Sequence, residues 1–159
     1  MSQPRTRLIP IIELRQQRVG SIRYQNLSID NPAAAASLCR EIVAEQIADA
    51  PEEHFVAIAL NAKNRPLVFY TVSIGTLTAS LVHPREVFRV AIMYNAHALI
   101  VAHNHPSGDP EPSRQDLEVT RRVSRAGEIL GIEVLDHVII GSGGRYVSLK
   151  ERGLLGGDG

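Results

Sequence analysis

His103 and His105 stand two residues apart in the run HALIVAHNH, and Ser113 and Asp116 follow, so that the whole spells His-x-His-x7-Ser-x2-Asp. A β-strand has a side-chain period of two, so both imidazoles would leave the same face of a strand. The chain then turns through PSGDPEP, whose prolines and Gly108 allow a reversal, and enters a helix at Ser113 with Asp116 in its first turn. That return can bring a carboxylate back to the histidines. Two neutral imidazoles and one carboxylate form a three-ligand set with a fourth position left for water, the way catalytic zinc is usually held. Such a centre makes its water more acidic and can supply hydroxide near neutral pH. A single cysteine, Cys39, excludes a cysteine-rich structural zinc site and any intrachain disulfide.

Plainer readings compete at each residue. Ser113 and Asp116 also fit a capping box, which needs no metal, and one histidine near a strand end is more often a hydrogen-bonded residue than a ligand. The joint spacing favours the metal.

The elements needed to position these side chains are legible around them. Asp30, Asn31 and Pro32 are a start signal for a helix over AAAASLCREIVAEQIA, ending near Ala48. FVAIALN and PLVFYTVSI, separated by AKNR, predict two antiparallel strands, and LTASLVH a further extended segment. Pro84 opens a helix over REVFRVAIMYNA with Val87, Val90, Ala91 and Tyr94 on one side. HALIVAHNH reads as a buried strand, SRQDLEVTRRVSRAGEILG as a helix stopped by Gly131, and IEVLDHVII and RYVSL as the last strands. Helices alternating with strands predict a single layered α/β domain around a mixed sheet. Its expected span is residues 26–153, preceded by a basic arm over 1–25 and followed by a flexible tail over 154–159. The arm carries Arg5, Arg7, Arg15, Arg18 and Arg23 against one acid, Glu13.

With these residues in view, HNHPSGDPEPSRQD resembles the JAMM motif of the JAB/MPN metalloproteases, and the RadC family in particular. The similarity extends through HPREVF and LDHVIIG over about residues 50–150, and the helix-hairpin-helix segment of full-length RadC-like proteins is not expected within these 159 residues. The resemblance implies a cytidine-deaminase-like (JAB/MPN) fold with zinc on His103, His105 and Asp116. It also implies that Ser113 supports a tetrahedral oxyanion and that an upstream glutamate on an early strand is the general base. Glu53, opening the strand HFVAIAL, fits that place best by strand alternation. Glu52 beside it and Glu86, at a helix start where an acid suits the dipole anyway, stay open. His137 in VLDHVII is either a satisfied core histidine or a partner of a ligand. His54, His83 and His97 have no metal spacing and read as structural. Asp109 and Glu111 read as solvated loop residues, Ser107 and Gly108 as shaping the turn.

The resulting expectation is a zinc metallohydrolase acting on peptide or isopeptide bonds of a peptide or protein substrate, the bond type being supplied by the resemblance alone. The alternatives are a DNA-associated protein using the basic arm, and a metal-binding module without catalysis. The letters HNH do not indicate a nuclease, because three consecutive strand residues cannot face one ion. A base deaminase of this fold would need a P-C-x-x-C pair that one cysteine cannot supply. The 17 basic and 17 acidic residues give no overall field toward a polyanion. No run approaches a membrane span and the start MSQPRTRLIP has no signal-type apolar region, so a cytoplasmic protein is expected, with a homodimer as its candidate assembly.

Overall fold

The structure, a computed structural model, describes residues 9–25, 31–78 and 82–156. Helix α1 (Pro32–Ile47) starts where Asn31 accepts the Ala34 N–H at 2.9 Å, with Pro32 in the first turn. The other start residue, Asp30, lies outside the described residues, as do Arg5 and Arg7. Strands β1 (His54–Leu60) and β2 (Pro66–Ile74) form the expected antiparallel pair. After helix α2 (Pro84–Met93), strand β3 (Ala98–Asn104) inserts antiparallel beside β1, and helix α3 (Arg114–Leu130) crosses to strand β4 (Glu133–Ile140), parallel to β3. Strand β5 (Tyr146–Ser148) closes the edge, giving the order β2-β1-β3-β4-β5.

The sheet is mixed and covered on both faces, which is why β1, β3 and β4 read as continuous apolar runs. Val56, Ile58 and Leu60 of β1 and Ala98, Ile100 and Ala102 of β3 pack with Leu38, Ile42 and Val43 of α1. The alternating residues Phe55, Ala57, Leu99 and Val101 pack with Val87, Phe88 and Ala91 of α2 and Val119 and Val123 of α3. His103 continues the Leu99, Val101 row and so arrives on the α3 side at the end of its strand.

Two expectations are corrected. Helix α2 ends at Met93, because Asn95 takes a left-handed conformation (φ 49°) and ends the helical path; its buried face is Val87, Phe88 and Ala91, with Val90 and Tyr94 only partly covered. The extended segment expected over 77–83 is not a strand at its described residues 77, 78, 82 and 83, and the Val82 N–H bonds the Thr78 carbonyl at 3.2 Å; residues 79–81 lie outside the described residues.

Residues 9–25 carry no helix or strand, and Ile22 packs against the α1 side of the core. At the other end Leu155 is partly buried against the α2–α3 side, and residues 157–159 lie outside the described residues. Deleting residues 1–25 should remove the Ile22 contact, about 1 kcal/mol, and lower Tm by about 2–4 °C with unfolding still cooperative. Calorimetry checks this; loss of the cooperative transition would make the arm part of the core.

Candidate metal centre

Three elements meet at the end of β3. His103 leaves the last turn of the strand fully buried, His105 follows it at the start of the motif loop, and Asp116 projects from the first turn of α3. His103 Nε2 lies 3.0 Å from His105 Nε2 and 3.2 Å from Asp116 Oδ1, and His105 Nε2 lies 3.2 Å from Asp116 Oδ2. These are three donor atoms of the types that ligate metal, gathered within 4.8 Å of one another, and the set can hold a metal ion.

The capping box is present as well. Ser113 Oγ accepts the Asp116 N–H at 3.1 Å, and Asp116 Oδ2 accepts the Ser113 N–H at 2.8 Å. The two readings of this pair are compatible, because the cap fixes the carboxylate that faces the histidines. Burial opposes the charge on Asp116, but the imidazoles of His103 and His105 beside it, helped by the Ser113 N–H, outweigh it and hold the carboxyl well below its usual range.

His105 is oriented from its far side, where its Nδ1 donates to the Asp109 carbonyl at 2.7 Å. Asp109 thus serves through its backbone, while its side chain accepts the Glu111 N–H and Glu111 pairs with Arg152 at 2.7 Å. The loop closes on Gly108, whose carbonyl accepts the Ser142 N–H at 2.9 Å and Arg145 Nη2 at 2.7 Å. Gly108 has φ 86°, and a Cβ there would lie 2.6 Å from Ser142 Oγ, so glycine is required for this approach.

The hydrogen bond to Asp116 raises the pKa of His105, against a lowering by burial, and the Glu53 charge adds to the rise. Protonation of His105 is thereby favoured in the metal-free protein. The stabilisation from this raised group is complete below its unfolded pKa of about 6.5 and fades as pH rises through the folded value, whereas that of the depressed Asp116 is present above about 3.9 and fades below it. Metal-free protein should therefore lose Tm on going from pH 6 to pH 8, and saturating metal should remove most of that loss; a pH-independent Tm in the metal-free form contradicts this coupling.

Glu53 sits immediately before β1. Phe55 opposes His103 in the antiparallel register, so counting back two places Glu53 opposite His105 and on the same face. Its carboxylate accepts the Leu77 N–H and its carbonyl the Gly75 N–H. Glu52 is exposed, and Glu86 lies in the first turn of α2.

Asn104 has a role that sequence reading missed. It points away from the centre and is fully buried, accepting the His54 N–H at 2.7 Å and donating to the carbonyls of Glu52 (3.0 Å) and Ala50 (3.3 Å). The middle letter of HNH thus ties the segment holding Glu53 to the strand holding the histidines. Its partners are some 50 residues away in the chain, so no local pattern could reveal them.

His137, fully buried on β4, joins the centre from behind: its Nε2 meets His103 Nδ1 at 2.8 Å and its Nδ1 meets Thr120 Oγ1 at 2.6 Å. Burial, then the neighbouring His103, push its pKa well down. His54, His83 and His97 do not join the cluster. Cys39 lies among the α1-side core residues, where burial pushes its thiol up to about 12, so it offers no nucleophile.

Comparison with known proteins fits this geometry. The profile of the RadC-like JAB domain matches residues 29–154. A UPF0758 protein of Symbiobacterium thermophilum is 53% identical over 140 residues, covering 88% of this chain and 58% of the relative. One from Caldanaerobacter subterraneus is 49% identical over 142 residues (89% and 59%), and one from Bacillus cereus 48% over 149 residues (93% and 64%). The chain spans about three fifths of the length of the curated relatives it matches. With the profile covering most of its length and the His-His-Asp cluster at the end of its central strand, the chain belongs to the RadC-like JAB domain family.

Proposed function

We propose that the chain is a zinc-dependent hydrolase of the JAMM type that cleaves amide bonds, of peptide or isopeptide kind. The observation that carries this reading is the triangle of donors. A tetrahedral zinc with nitrogen and oxygen ligands at about 2.0–2.1 Å has ligand-to-ligand edges of about 3.3–3.4 Å. The edges here are 3.0, 3.2 and 3.2 Å, so the three atoms need to spread by only a few tenths of an ångström. Three protein ligands rather than four are the catalytic pattern.

His103, His105 and Asp116 would hold the ion, which when bound would supply Lewis acidity to water and to a substrate carbonyl. Glu53, on the His105 side, takes the proton of the attacking water and returns it to the leaving amine. Ser113 Oγ accepts the Asp116 N–H, which leaves its own proton free to donate to an oxyanion. His103 is sealed from solvent and His105 is partly open, so substrate approaches from the His105 side.

A second reading, association with DNA, rests on the exposed Arg15, Arg18 and Arg23 of the arm and on Arg114, Arg121 and Arg125 along α3. Glu13 pairs with Arg15 at 3.0 Å, which weakens the arm as a polyanion site. One screen separates the two: zinc-loaded and metal-free protein assayed on peptide, isopeptide-linked and nucleic-acid substrates. Amide cleavage that needs zinc is the expected result. Zinc-dependent cleavage of nucleic acid alone would overturn the reading.

A further inference from the structure

Behind the metal centre runs a chain of hydrogen bonds whose proton positions follow from chemistry. Thr120 Oγ1 lies 2.6 Å from the Asp116 carbonyl, which can only accept, so the single hydroxyl proton goes there. A threonine bonding the carbonyl four residues back is ordinary in helices. Here, however, the same oxygen also lies 2.6 Å from His137 Nδ1. With its proton committed, Oγ1 can only accept from that nitrogen, so His137 carries its proton on Nδ1. The His137 ring is fully buried with Thr120 and His103 on its two nitrogens and no carboxylate on either, so it carries one proton and presents a lone pair at Nε2. That lone pair accepts from His103 Nδ1 at 2.8 Å. His103 Nδ1 therefore holds the N–H, and its Nε2 turns a bare lone pair toward His105 and Asp116.

We propose that Thr120 and His137 are positioning residues that order the protons of His103, starting from the backbone carbonyl of one ligand, Asp116, and ending on the ring of another. The chain of hydrogen bonds runs from α3 through β4 to β3, so it also ties the first turn of α3 to the strand. If Thr120 lost its hydroxyl, His137 could carry its proton on Nε2 instead. That proton would face His103 Nδ1 and drive the His103 proton onto Nε2, where it must be expelled before a metal can bind. Partners of this kind set which ring nitrogen of a histidine is available to a metal, and their loss typically costs about 10–100-fold in affinity.

The inference rests on the metal-site reading above, and the test separates the two. Zinc affinity is measured by chelator competition for the wild type, Thr120→Val, Thr120→Ser, His137→Phe and His137→Gln. Nitrogen-15 spectra of the metal-free proteins report which ring nitrogen of His103 bears the proton. The expected result is a wild type with His103 protonated on Nδ1, and about 10–100-fold weaker zinc binding in Thr120→Val and His137→Phe. Thr120→Ser should restore affinity, and His137→Gln should restore part of it, because an amide also offers an acceptor and a donor. Should His137→Phe fail to fold, the near-isosteric Thr120→Val carries the test alone. Wild-type affinity in Thr120→Val with the His103 proton still on Nδ1 overturns the relay, whereas absence of zinc binding in the wild type itself overturns the metal-site reading.

Discussion

Replacing Glu53 by glutamine should leave zinc content unchanged and lower turnover by about 10² to 10⁴. The substitution keeps the side chain's length and an oxygen for the Leu77 N–H, and removes only the ability to take a proton. An effect toward the lower end is expected, because the metal already shares in acidifying the water. The antiparallel register supports the choice of residue, with Phe55 across from His103 bringing the Glu53 side chain to the His105 face. Glu86→Gln is the matched control, since Glu86 sits in the first turn of α2 and its loss should cost only a favourable helix-end charge, about 0.3–1 kcal/mol. Measured side by side, near-normal turnover in Glu53→Gln with collapse in Glu86→Gln would transfer the base to α2 and leave the three ligands in place.

The second large effect is expected at Asp116, where cap and ligand roles can be separated. Asp116→Asn keeps an oxygen that can accept the Ser113 N–H, so α3 should start as before, yet the charge that attracts a cation is gone. Metal affinity should fall by at least 10²-fold while Tm of the metal-free form moves by a few degrees, a cap change being worth about 1 kcal/mol. Asp116→Ala should lose both. Equal metal binding by Asp116→Asn and wild type would reduce Asp116 to a capping residue. His105→Ala should strip the metal with little change in fold, because the side chain is partly open and its hydrogen bonds serve the site and its loop.

Sequence patterns reached those parts of the molecule where local spacing and physical role coincide. The apolar runs of β1, β3 and β4, the asparagine and serine caps, the αL stop at Gly131 and the period-two histidines are all readable within a few residues. Patterns were weaker where several faces were possible. Phe88 rather than Val90 or Tyr94 completes the α2 core, because the sheet and α3 select the face and the sequence offers apolar residues on both sides. The run 77–83 carries β-favouring side chains, yet its described residues form no strand, with Leu77 and Val82 serving the core and the Leu77 N–H serving Glu53. Least visible were groups whose meaning depends on distant partners. Asn104 clamps residues 50–54, Thr120 meets a histidine 17 residues on, and Gly141 packs against Gly108, where a Cβ would lie 2.5 Å from its carbonyl oxygen. The sole local hint for Thr120 is that it lies one helical turn after Asp116.

X-ray absorption at the zinc edge on purified protein, combined with metal analysis, tests the metal centre most directly. The expected result is about one zinc per chain with nitrogen and oxygen neighbours at about 2.0–2.1 Å, a two-histidine signature and no sulfur. Zinc held at the same stoichiometry after His103, His105 and Asp116 are all replaced, or a wild type that takes up none at neutral pH, would contradict it.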